Sequence, residues 1–382
     1  METASLDSRI LLIVRAPPPY GGGEVVGEQL ERLFAGTFPI LAFRRADHGK
    51  ARQGRVSAGN VAFGLKYVAR SVLELLRRRP AVLYVDVPKD TFSFLRTCGI
   101  LLAALGLRVR VVGDLAGGDF QFLAGGGPVS RLGRNVLRRL YAIRVLGASV
   151  ANTLRGHGLS NAVVVPNGIS EPPGAGAPRP LDPMAIHLLY VGSVSEAKGV
   201  LTLLGAVREL ARGGGRPVSL DVAGEWASEE FEQRVRSAVV ADGLEREIRF
   251  HGLVVGEEKW QLFRQAHVLV HPTRWDGQPV TILEALAYGV PVVATQVGAI
   301  PDTISSGVEG YVMRDGSVAE AVAGVLELTR DDATYAAYSR RARQAYERRF
   351  SASVFEHGMA DLLRSAAGAA GRDGPGSEEL PP

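Results

Sequence analysis

The sequence predicts an α/β protein with two doubly wound, parallel-sheet units in tandem, and three observations lead to this fold class. The chain of 382 residues is too long for a single hydrophobic core of ordinary size. Short apolar runs alternate with amphipathic helical stretches, which is the pattern of a parallel sheet covered by helices. A Pro- and Gly-rich segment, residues 171–183, interrupts this alternation once. We therefore expect two Rossmann-like domains with a binding cleft between them.

The first predicted domain covers residues 1–170 and opens with a short apolar strand. That strand, residues 9–14, is followed by a glycine-rich turn and a helix over residues 24–34. Further strands are predicted at residues 39–43, 81–88, 109–115, 148–153 and 162–169. Further helices are predicted at residues 60–79, 91–106 and 131–147, the last of them basic and amphipathic.

The second predicted domain covers residues 185–350 and follows a linker at residues 171–184. Its strands are predicted at residues 185–194, 218–224, 248–254, 267–273 and 291–295, and its helices at 199–212, 227–241 and 257–265, with a short helix that ends at Gly289. A long helical region, 333–366, has a break near Phe350. Its final part, 351–367, is expected to cross back to the first domain. The tail 368–382 is rich in Gly, Pro, Ser and Glu, so we expect it to be disordered.

Composition places the chain among ordinary globular proteins, with 46% hydrophobic and 22% charged residues. The single cysteine, Cys98, lies in an apolar segment, which excludes a disulfide framework and favours a cytoplasmic location. The first apolar run is far shorter than the core of a secretory signal, and the longest, residues 98–107, is too short to span a bilayer. We expect a soluble or at most peripheral membrane protein.

Charge is distributed unevenly between the two predicted domains. Residues 1–170 contain 23 Lys and Arg against 11 Asp and Glu, whereas the remainder contains 21 against 29. A basic domain could face anionic lipid, nucleic acid or a phosphorylated substrate. The arginines at positions 134, 138, 139 and 144 are candidates for such a face on helix 131–147. The alternative is that these arginines lie on solvated helix faces with no partner.

Two glycine-containing turns follow predicted strands and could bring the backbone close to a phosphate. The first is Gly21-Gly22-Gly23, which leads into a helix and could equally be a plain turn. The second is GSVSEAKG, from Gly192 to Gly199, where a lysine could reach a diphosphate. A surface lysine in an ordinary loop would give the same pattern.

Two carboxylates, Asp276 and Glu284, lie eight positions apart in HPTRWDGQPVTILEALAYGVPVVAT. Glu284 is predicted near the start of a helix, where the helix dipole favours a negative charge. Its two oxygens suit a bidentate contact with a ribose diol. Asp276 is predicted in the preceding loop, with the backbone N–H groups of Gly277 and Gln278 free to bind hydroxyls. A turn aspartate and a helix charge without a ligand would explain the same residues.

In combination, these motifs resemble the GT-B glycosyltransferases of family 4, a retaining group, over roughly residues 9–366. VPNGIS, residues 165–170, is similar to the family's P-N-G-[IV]-D segment, and YVGSVSEAKGV to its G-R-x(4)-K-G loop. DGQPVTILEALAYGVPVVATQVGAIPDTI resembles the E-x7-E segment with the G-x-P-V-V-A-T and G-G-x-x-E runs that follow it. The resemblance implies a GT-B fold, in which two Rossmann-like domains face each other across a cleft.

The resemblance also implies roles for single residues. Glu284 would hold the ribose hydroxyls of a nucleotide-sugar donor, and Asp276 would contact the donor sugar. Lys198 would neutralise the diphosphate. Further donor-binding residues would be Gly22, Gly23, Gly192, Ser193, Gly277, Gln278 and Pro279. The resemblance implies no cofactor and no metal ion, and the sequence has no His and Cys cluster with metal-ligand spacing.

Three positions depart from the family pattern. Ser193 replaces an arginine, and Asp276 replaces a longer glutamate. Ala116 lies where many members have a histidine beside the donor sugar, so Asp114 or Asp119 is a candidate to take over part of that role. The departure at Ala116 could mean an unusual donor, slow chemistry or an inactive copy.

The leading hypothesis is retaining transfer of a hexose from a UDP- or GDP-sugar to a hydroxyl acceptor. Lys198 and backbone amides would stabilise the departing diphosphate, with Asp276, Glu284 and Asp114 as the other catalytic candidates. A carbohydrate, lipid-linked or small-molecule acceptor is expected, in surface polysaccharide, lipopolysaccharide or natural-product assembly, and no nucleic acid. Two alternatives remain open: a non-catalytic partner subunit with the same fold, and a sugar-nucleotide epimerase.

Overall fold

The computed structural model describes residues 7–17, 22–44, 58–117, 120–123, 125–176, 180–182 and 184–368. They form two parallel six-stranded sheets, one in each half of the chain. The first half contains β1 (Ile10–Arg15), α1 (Gly22–Leu33), β2 (Ile40–Phe43), α2 (Ala58–Arg78), β3 (Val82–Asp86), α3 (Thr91–Gly106), β4 (Arg110–Asp114), α4 (Pro128–Leu137), β5 (Ala142–Val145), α5 (Ala148–Gly156) and β6 (Ala162–Val164).

The second half repeats the same alternation of strand and helix. Its elements are β7 (Ile186–Val191), α6 (Val200–Arg212), β8 (Val218–Ala223), α7 (Glu229–Asp242), β9 (Ile248–Gly252), α8 (Gly256–Gln265), β10 (Val268–His271), α9 (Val280–Ala287), β11 (Val292–Thr295), α10 (Ile300–Thr303), β12 (Gly310–Met313), α11 (Val318–Leu328), α12 (Asp332–Ala345) and α13 (Ala352–Gly368). Short 3-10 turns cover Gln121–Leu123 and Glu196–Lys198.

The strand sequences explain why both sheets are buried on both faces. β1, β10 and β11 are mainly apolar and almost fully buried, as expected for parallel strands covered by helices on each side. The described part of 171–184, which joins the two halves, has neither helix nor strand. Each sheet therefore has its own core and its own pair of helical layers.

Strand order fixes where each sheet can bind a ligand. In the first sheet the order is β2-β1-β3-β4-β5-β6, so the order in which successive strands are added reverses between β1 and β3. In the second the order is β12-β11-β10-β7-β8-β9, with the reversal between β7 and β10. At such a reversal the two flanking loops leave in opposite directions, which opens a crevice at the carboxyl ends of the strands.

The prediction for residues 131–153 was wrong. The predicted helix 131–147 is a shorter helix, α4, followed by the buried strand β5. The predicted strand 148–153 is the helix α5, packed beside β6. The error arose because Arg144 looks like the polar face of a helix, although it is a buried strand residue with partners elsewhere. The sequence analysis also missed β12 and α11, which complete the second sheet.

The last helix, α13, returns to the first sheet. Met359 and Leu363 pack in the same core cluster as Ile10. Arg364 pairs with Asp7 at 2.9 Å, tying the helix to the start of the described chain. The predicted break near Phe350 is a π-helical turn, Tyr346–Phe350, followed by extended backbone at Ser351. The predicted tail from Gly368 onward lies outside the described residues after its first position.

Among the described residues, no helix combines the length and apolar character needed to cross a bilayer. Cys98 is a buried, free thiol on α3, and burial raises its pKa to about 11.

Candidate active site

Lys198 and Asp276 meet at the reversal point of the second sheet, between the loops that follow β7 and β10. The Lys198 Nζ lies 2.5 Å from Asp276 Oδ2 and 3.0 Å from the carbonyl oxygen of Trp275. The lysine ends the 3-10 turn Glu196–Lys198, and the residue before that turn, Ser195, caps it. Gly199 then adopts a φ of 74°, and a Cβ there would lie 1.9 Å from the Pro272 carbonyl oxygen. The two loops are therefore in direct contact, and only glycine fits between them.

Asp276 has a second side-chain partner, at the end of β10. The Nε2 of His271, the last residue of β10, lies 3.2 Å from Asp276 Oδ2, and its ring stacks on Tyr190. Burial alone would raise the pKa of Asp276, but the hydrogen bond from His271 and the charge of Lys198 outweigh it and hold that pKa well below its ordinary value. Asp276 is therefore a carboxylate at any pH near neutrality.

Glu284 does not lie at a helix start, as predicted, but in the middle of α9, which begins at Val280. The helix dipole therefore contributes little to it, because that effect is confined to the first turn. Lys259 of α8 supplies the compensating charge instead, with its Nζ 2.6 Å from Glu284 Oε1. Burial raises the pKa of Glu284 in spite of this lysine. The other oxygen, Oε2, is buried and has no hydrogen-bond partner.

The loop 276–279 is more fully occupied than the sequence suggested. The N–H of Gly277, predicted to be free, donates to Asp276 Oδ1 at 3.0 Å. The Gln278 side chain accepts from the Asn167 N–H at 2.7 Å and donates to Thr303 Oγ1 at 2.9 Å. Pro279 is the N-cap residue of α9. Gln278 therefore connects the two halves of the chain, in addition to its place in the loop.

Gly192 and Ser193 follow β7 at the same reversal point. Gly192 has a φ of 157°, and its carbonyl oxygen lies 1.7 Å from the position of a Cβ on Gly224. The Ser193 carbonyl accepts a hydrogen bond from the Tyr190 hydroxyl at 2.8 Å. The backbone of Gly192 and Gly224 is packed so closely that the carboxyl ends of β7 and β8 are fixed relative to each other.

In the first sheet, Gly22 and Gly23 begin α1 at the corresponding reversal point, and Gly21 lies outside the described residues. They lie beside a cluster that the sequence analysis missed. Arg15, at the end of β1, binds Asp86, at the end of β3, at 2.7 Å and Glu24 of α1 at 3.1 Å. Asp86 and Glu24 keep the Arg15 pKa above its ordinary value, with Asp86 contributing most.

Asp114, predicted to face the donor, lies in a buried cluster at the end of β4. Its Oδ2 accepts from the Tyr84 hydroxyl at 2.5 Å and from Arg144 at 2.9 Å, while Oδ1 is buried without a partner. Arg144 is fully buried and also donates to the Val165 carbonyl and to Asn167 Oδ1. The prediction of Arg144 on an exposed basic face is therefore wrong. Asp119, the other predicted substitute, lies outside the described residues.

Three contacts join the two halves near this cluster. A Cβ on Gly277 would lie 2.1 Å from the Ala116 carbonyl oxygen, so the loop 276–279 packs directly on the backbone at Ala116. Asp302 of α10 accepts hydrogen bonds from the backbone N–H and the hydroxyl of Ser149, in the first turn of α5. The Gln278–Asn167 hydrogen bond is the third. The residue that replaces the family histidine is therefore part of the interface between the halves.

The residues that the sequence analysis missed share one property. Each of them forms its hydrogen bond or ion pair with a residue that is distant in sequence or lies outside its own helix or strand: Lys259, His271, Asn167 and the Arg15 cluster. His271 carried a weak signal, since it is the last residue of a strand that ends at the cleft.

Residues 185–331 match the family model described as glycosyl transferases group 1. The amylovoran biosynthesis glycosyltransferase AmsK of Erwinia amylovora is 25% identical over 188 residues, 48% of this chain and 45% of that protein. The glycogen synthase of Mycobacterium tuberculosis is 30% identical over 198 residues, 51% of this chain and 45% of that protein. The lipopolysaccharide core biosynthesis mannosyltransferase LpsB of Rhizobium meliloti is 40% identical over 79 residues, 21% of this chain and 22% of that protein. The chain spans half or less of the length of these relatives.

Solved structures match over nearly the whole chain. HepE of Anabaena in complex with UDP-glucose has a TM-score of 0.70 at 15% identity, covering 93% of this chain and 99% of that one. The sucrose-phosphate synthase of Thermosynechococcus elongatus has a TM-score of 0.73 at 16% identity, covering 94% and 99%. These similarities confirm the predicted fold. Residues 185–331 therefore match the family model of the group 1 glycosyl transferases, and the chain as a whole has the GT-B fold.

Proposed function

We propose that the chain is a retaining glycosyltransferase that moves a hexose from a UDP- or GDP-sugar to a hydroxyl acceptor. The observation that carries this proposal is that Oε2 of Glu284 is buried and has no hydrogen-bond partner. Glu284 lies in the same loop and helix as Asp276, which pairs with Lys198 of the loop after β7. A buried carboxylate oxygen without a donor costs free energy, and a ligand hydroxyl would satisfy it. The group 1 match over this segment and the UDP-glucose bound to HepE support a nucleotide-sugar ligand.

Glu284 is assigned to the ribose of the donor. Lys259 places a positive charge 2.6 Å from one of its oxygens, which offsets part of the cost of burying the carboxylate. The second oxygen is then available to accept hydrogen bonds from ribose hydroxyls. Hydrogen bonds to a charged acceptor are about twice as strong as neutral ones, which favours ribose over a sugar without these hydroxyls.

Lys198 is assigned to the donor diphosphate. In the free protein its charge is shared with Asp276, at 2.5 Å. A diphosphate entering at the reversal point brings the larger negative charge and competes with Asp276 for the ammonium group. Asp276 would then keep its His271 hydrogen bond and turn toward the hydroxyls of the donor sugar. Gly192, Ser193, Gly277, Gln278 and Pro279 form the walls of this site, and Gly22 and Gly23 face it from the first sheet.

The reaction follows from this arrangement. The bond between the sugar C1 and the diphosphate oxygen breaks, and its electron pair leaves with the nucleoside diphosphate. Lys198 stabilises that charge at a fixed position. The acceptor oxygen bonds to C1 on the same face of the sugar, and its proton leaves with the diphosphate. We propose that this proceeds without a metal ion, so that excess EDTA leaves the rate unchanged.

The acceptor is assigned to the first domain, on the far side of the cleft. We propose a carbohydrate or lipid-linked acceptor of surface polysaccharide assembly, in keeping with the amylovoran and lipopolysaccharide roles of AmsK and LpsB. Peripheral contact with an anionic membrane in the cytoplasm is part of this proposal. Arg144 cannot contribute to that contact, because it is fully buried.

The proposal is tested by a thermal-shift screen of UDP-, GDP-, ADP- and TDP-sugars, followed by mass spectrometry for released sugar and product. We expect one donor class to stabilise the protein and to be turned over. Lys198→Ala and Glu284→Ala should each abolish turnover with the fold intact. Lys66→Ala and Glu245→Ala, which change exposed residues of the same types, are the matched controls. Full turnover in Lys198→Ala or Glu284→Ala would refute the assignment.

One observation favours a second candidate, a non-catalytic partner subunit. Ala116 has no side chain that could reach a donor sugar, and its carbonyl oxygen packs against Gly277. Such a protein would be stabilised by a nucleotide in the thermal-shift screen but would release no sugar from any donor. The same screen therefore separates the two candidates.

A further inference from the structure

The outer faces of α2 and α3 carry large apolar side chains that the two-domain core leaves uncovered. On α2, Leu65 is 68% and Leu73 61% exposed, and on α3 Phe92 is 80% exposed. Leu76 and Leu102 are also about half exposed. Exposed apolar side chains are ordinary when they are scattered, but a contiguous group of them marks a surface that binds something.

The spacing of these residues places them in one stripe on each helix. On α2 the exposed positions are 65, 69, 73 and 76, and on α3 they are 92, 95, 99 and 102. Intervals of three and four residues keep side chains on one helix face. The two helices are direct neighbours, since a Cβ on Gly99 would lie 3.5 Å from Val68. We refer to the eight positions together as the α2–α3 face.

Basic side chains border the apolar stripe. Lys66, Arg70 and Arg77 are exposed on α2, each one position after a residue of the stripe, and Lys89 is exposed just before α3. The only acidic residue among the described side chains of the two helices is Glu74, which is paired with Arg78 at 2.7 Å. Asp90, between Lys89 and α3, uses its carboxylate to accept a hydrogen bond from the Ser93 N–H at 2.9 Å. The face and its border therefore present apolar groups and a net positive charge.

We propose that the α2–α3 face docks on an anionic lipid bilayer. Leucine and phenylalanine side chains would enter the boundary between headgroups and acyl chains, and the flanking cations would contact lipid phosphates. The charge pattern argues against a second copy of this chain as the partner. A symmetric contact would set the basic residues of one copy against those of the other, which repel each other.

The α2–α3 face lies close to the cleft, so a membrane bound there would be near the proposed donor site. α3 starts directly after the carboxyl end of β3, so Phe92 lies at the edge of the first sheet that faces the donor site. The Lys89 Cβ lies 3.4 Å from the position of a Cβ on Gly117, whose neighbour Ala116 packs on Gly277 of the donor loop. A membrane touching this face would hold a lipid-linked acceptor beside the cleft. The α2–α3 face is the surface through which the membrane contact of the proposed function would be made, and its effect on the acceptor rests on that function.

The test is co-sedimentation of the full chain with vesicles of phosphatidylcholine alone or with 30% phosphatidylglycerol. Two triple variants alter the face. The apolar variant combines Leu65→Ser, Leu73→Ser and Phe92→Ser. The charge variant combines Lys66→Gln, Arg70→Gln and Arg77→Gln. The matched apolar control is Val240→Ser with Leu253→Ser and Leu326→Ser, which changes exposed residues of the second half. The matched charge control is Arg340→Gln with Arg348→Gln.

We expect the wild type and both controls to bind the anionic vesicles and to be released by high salt. Loss of the three cations should weaken binding by on the order of 100-fold, and loss of the three apolar side chains should abolish it. Circular dichroism and donor turnover should stay at wild-type levels in both variants, because no substituted residue belongs to the donor site.

Wild-type protein that stays in the supernatant with anionic vesicles would overturn the proposal, as would an apolar variant that binds as tightly as the wild type. A wild-type dimer that becomes monomeric in the apolar variant, measured by light scattering, would assign the face to a second copy instead. Vesicle binding without turnover of any donor would refute the proposed function and leave this inference standing.

Discussion

Substitution of the buried Arg144 by methionine is the sharpest structural test of how the two halves are held together. Arg144 is fully buried, with Asp114, 5% exposed, at 2.9 Å. It also donates to the Val165 carbonyl at 2.9 Å and to Asn167 Oδ1 at 2.7 Å. Methionine fills a similar volume but leaves Asp114 with only the Tyr84 hydroxyl as a partner. Removing one member of a buried ion pair costs about 3–5 kcal/mol.

The assay is equilibrium unfolding in urea, followed by circular dichroism. With a slope of about 3 kcal/mol per molar urea, a loss of about 4 kcal/mol lowers the midpoint by about 1.3 M. Arg139→Met, an exposed arginine on the segment just before β5, should change stability by about 0.5 kcal/mol or less. Asp114→Asn combined with Arg144→Met should recover part of the loss, because no unpaired charge then remains buried.

The same substitution should disturb the donor loop, since Arg144 holds Asn167 and the Asn167 N–H donates to Gln278. We expect the KM for donor to rise more than kcat falls. An Arg144→Met protein that unfolds within about 1 kcal/mol of the wild type would refute the reasoning, because the pair would then be no stronger than a surface contact.

Three further predictions concern the two loops of the candidate active site. Gly277→Ala should destabilise the protein by about 1–3 kcal/mol in thermal unfolding, because its Cβ would meet the Ala116 carbonyl at 2.1 Å; unchanged stability would mean that the halves separate freely. Gly199→Ala should lower donor affinity as well as stability, because it combines a φ of 74° with a 1.9 Å contact to the Pro272 carbonyl; donor titration calorimetry that gives wild-type affinity would contradict this. Asp276→Asn should lower the free energy of unfolding at pH 7. The difference in that free energy between wild type and variant should shrink as the pH falls below about 4, because a carboxyl whose pKa is depressed by folding stabilises the fold fully only above its unfolded-state pKa. A difference that stays constant down to pH 2 would exclude a stabilising role for the Asp276 charge.

The alternation of strands and helices was predictable because it depends on local sequence alone. Apolar runs such as 10–15 and 268–271 have no other stable position than inside a covered sheet. The exception was residues 131–153, where the charge of Arg144 altered the apparent period. Its partner, Asp114, lies 30 positions earlier on another strand, and no local pattern indicates that contact.

The candidate site was predictable to the extent that its residues lie in loops at strand ends. Lys198 and Asp276 follow β7 and β10, and adjacent parallel strands bring their carboxyl ends together. The chemical environment of each residue was not predictable. Glu284 depends on Lys259 of the neighbouring helix, and Asp276 on His271, so the charges that matter come from tertiary packing. The same holds for Gln278, whose partner Asn167 lies in the other half.

The proposed donor site depends above all on Glu284, whose unpartnered oxygen would bind the ribose of a nucleotide. Calorimetric titration tests this directly, with wild type and Glu284→Gln titrated with UDP and GDP and with their analogues that lack both ribose hydroxyls. We expect the wild type to bind one natural nucleotide on the order of 10- to 100-fold more tightly than its analogue. We expect Glu284→Gln to lose most of this preference. Equal affinity of the wild type for the nucleotide and its analogue, or an undiminished preference in the variant, would exclude a ribose contact by Glu284.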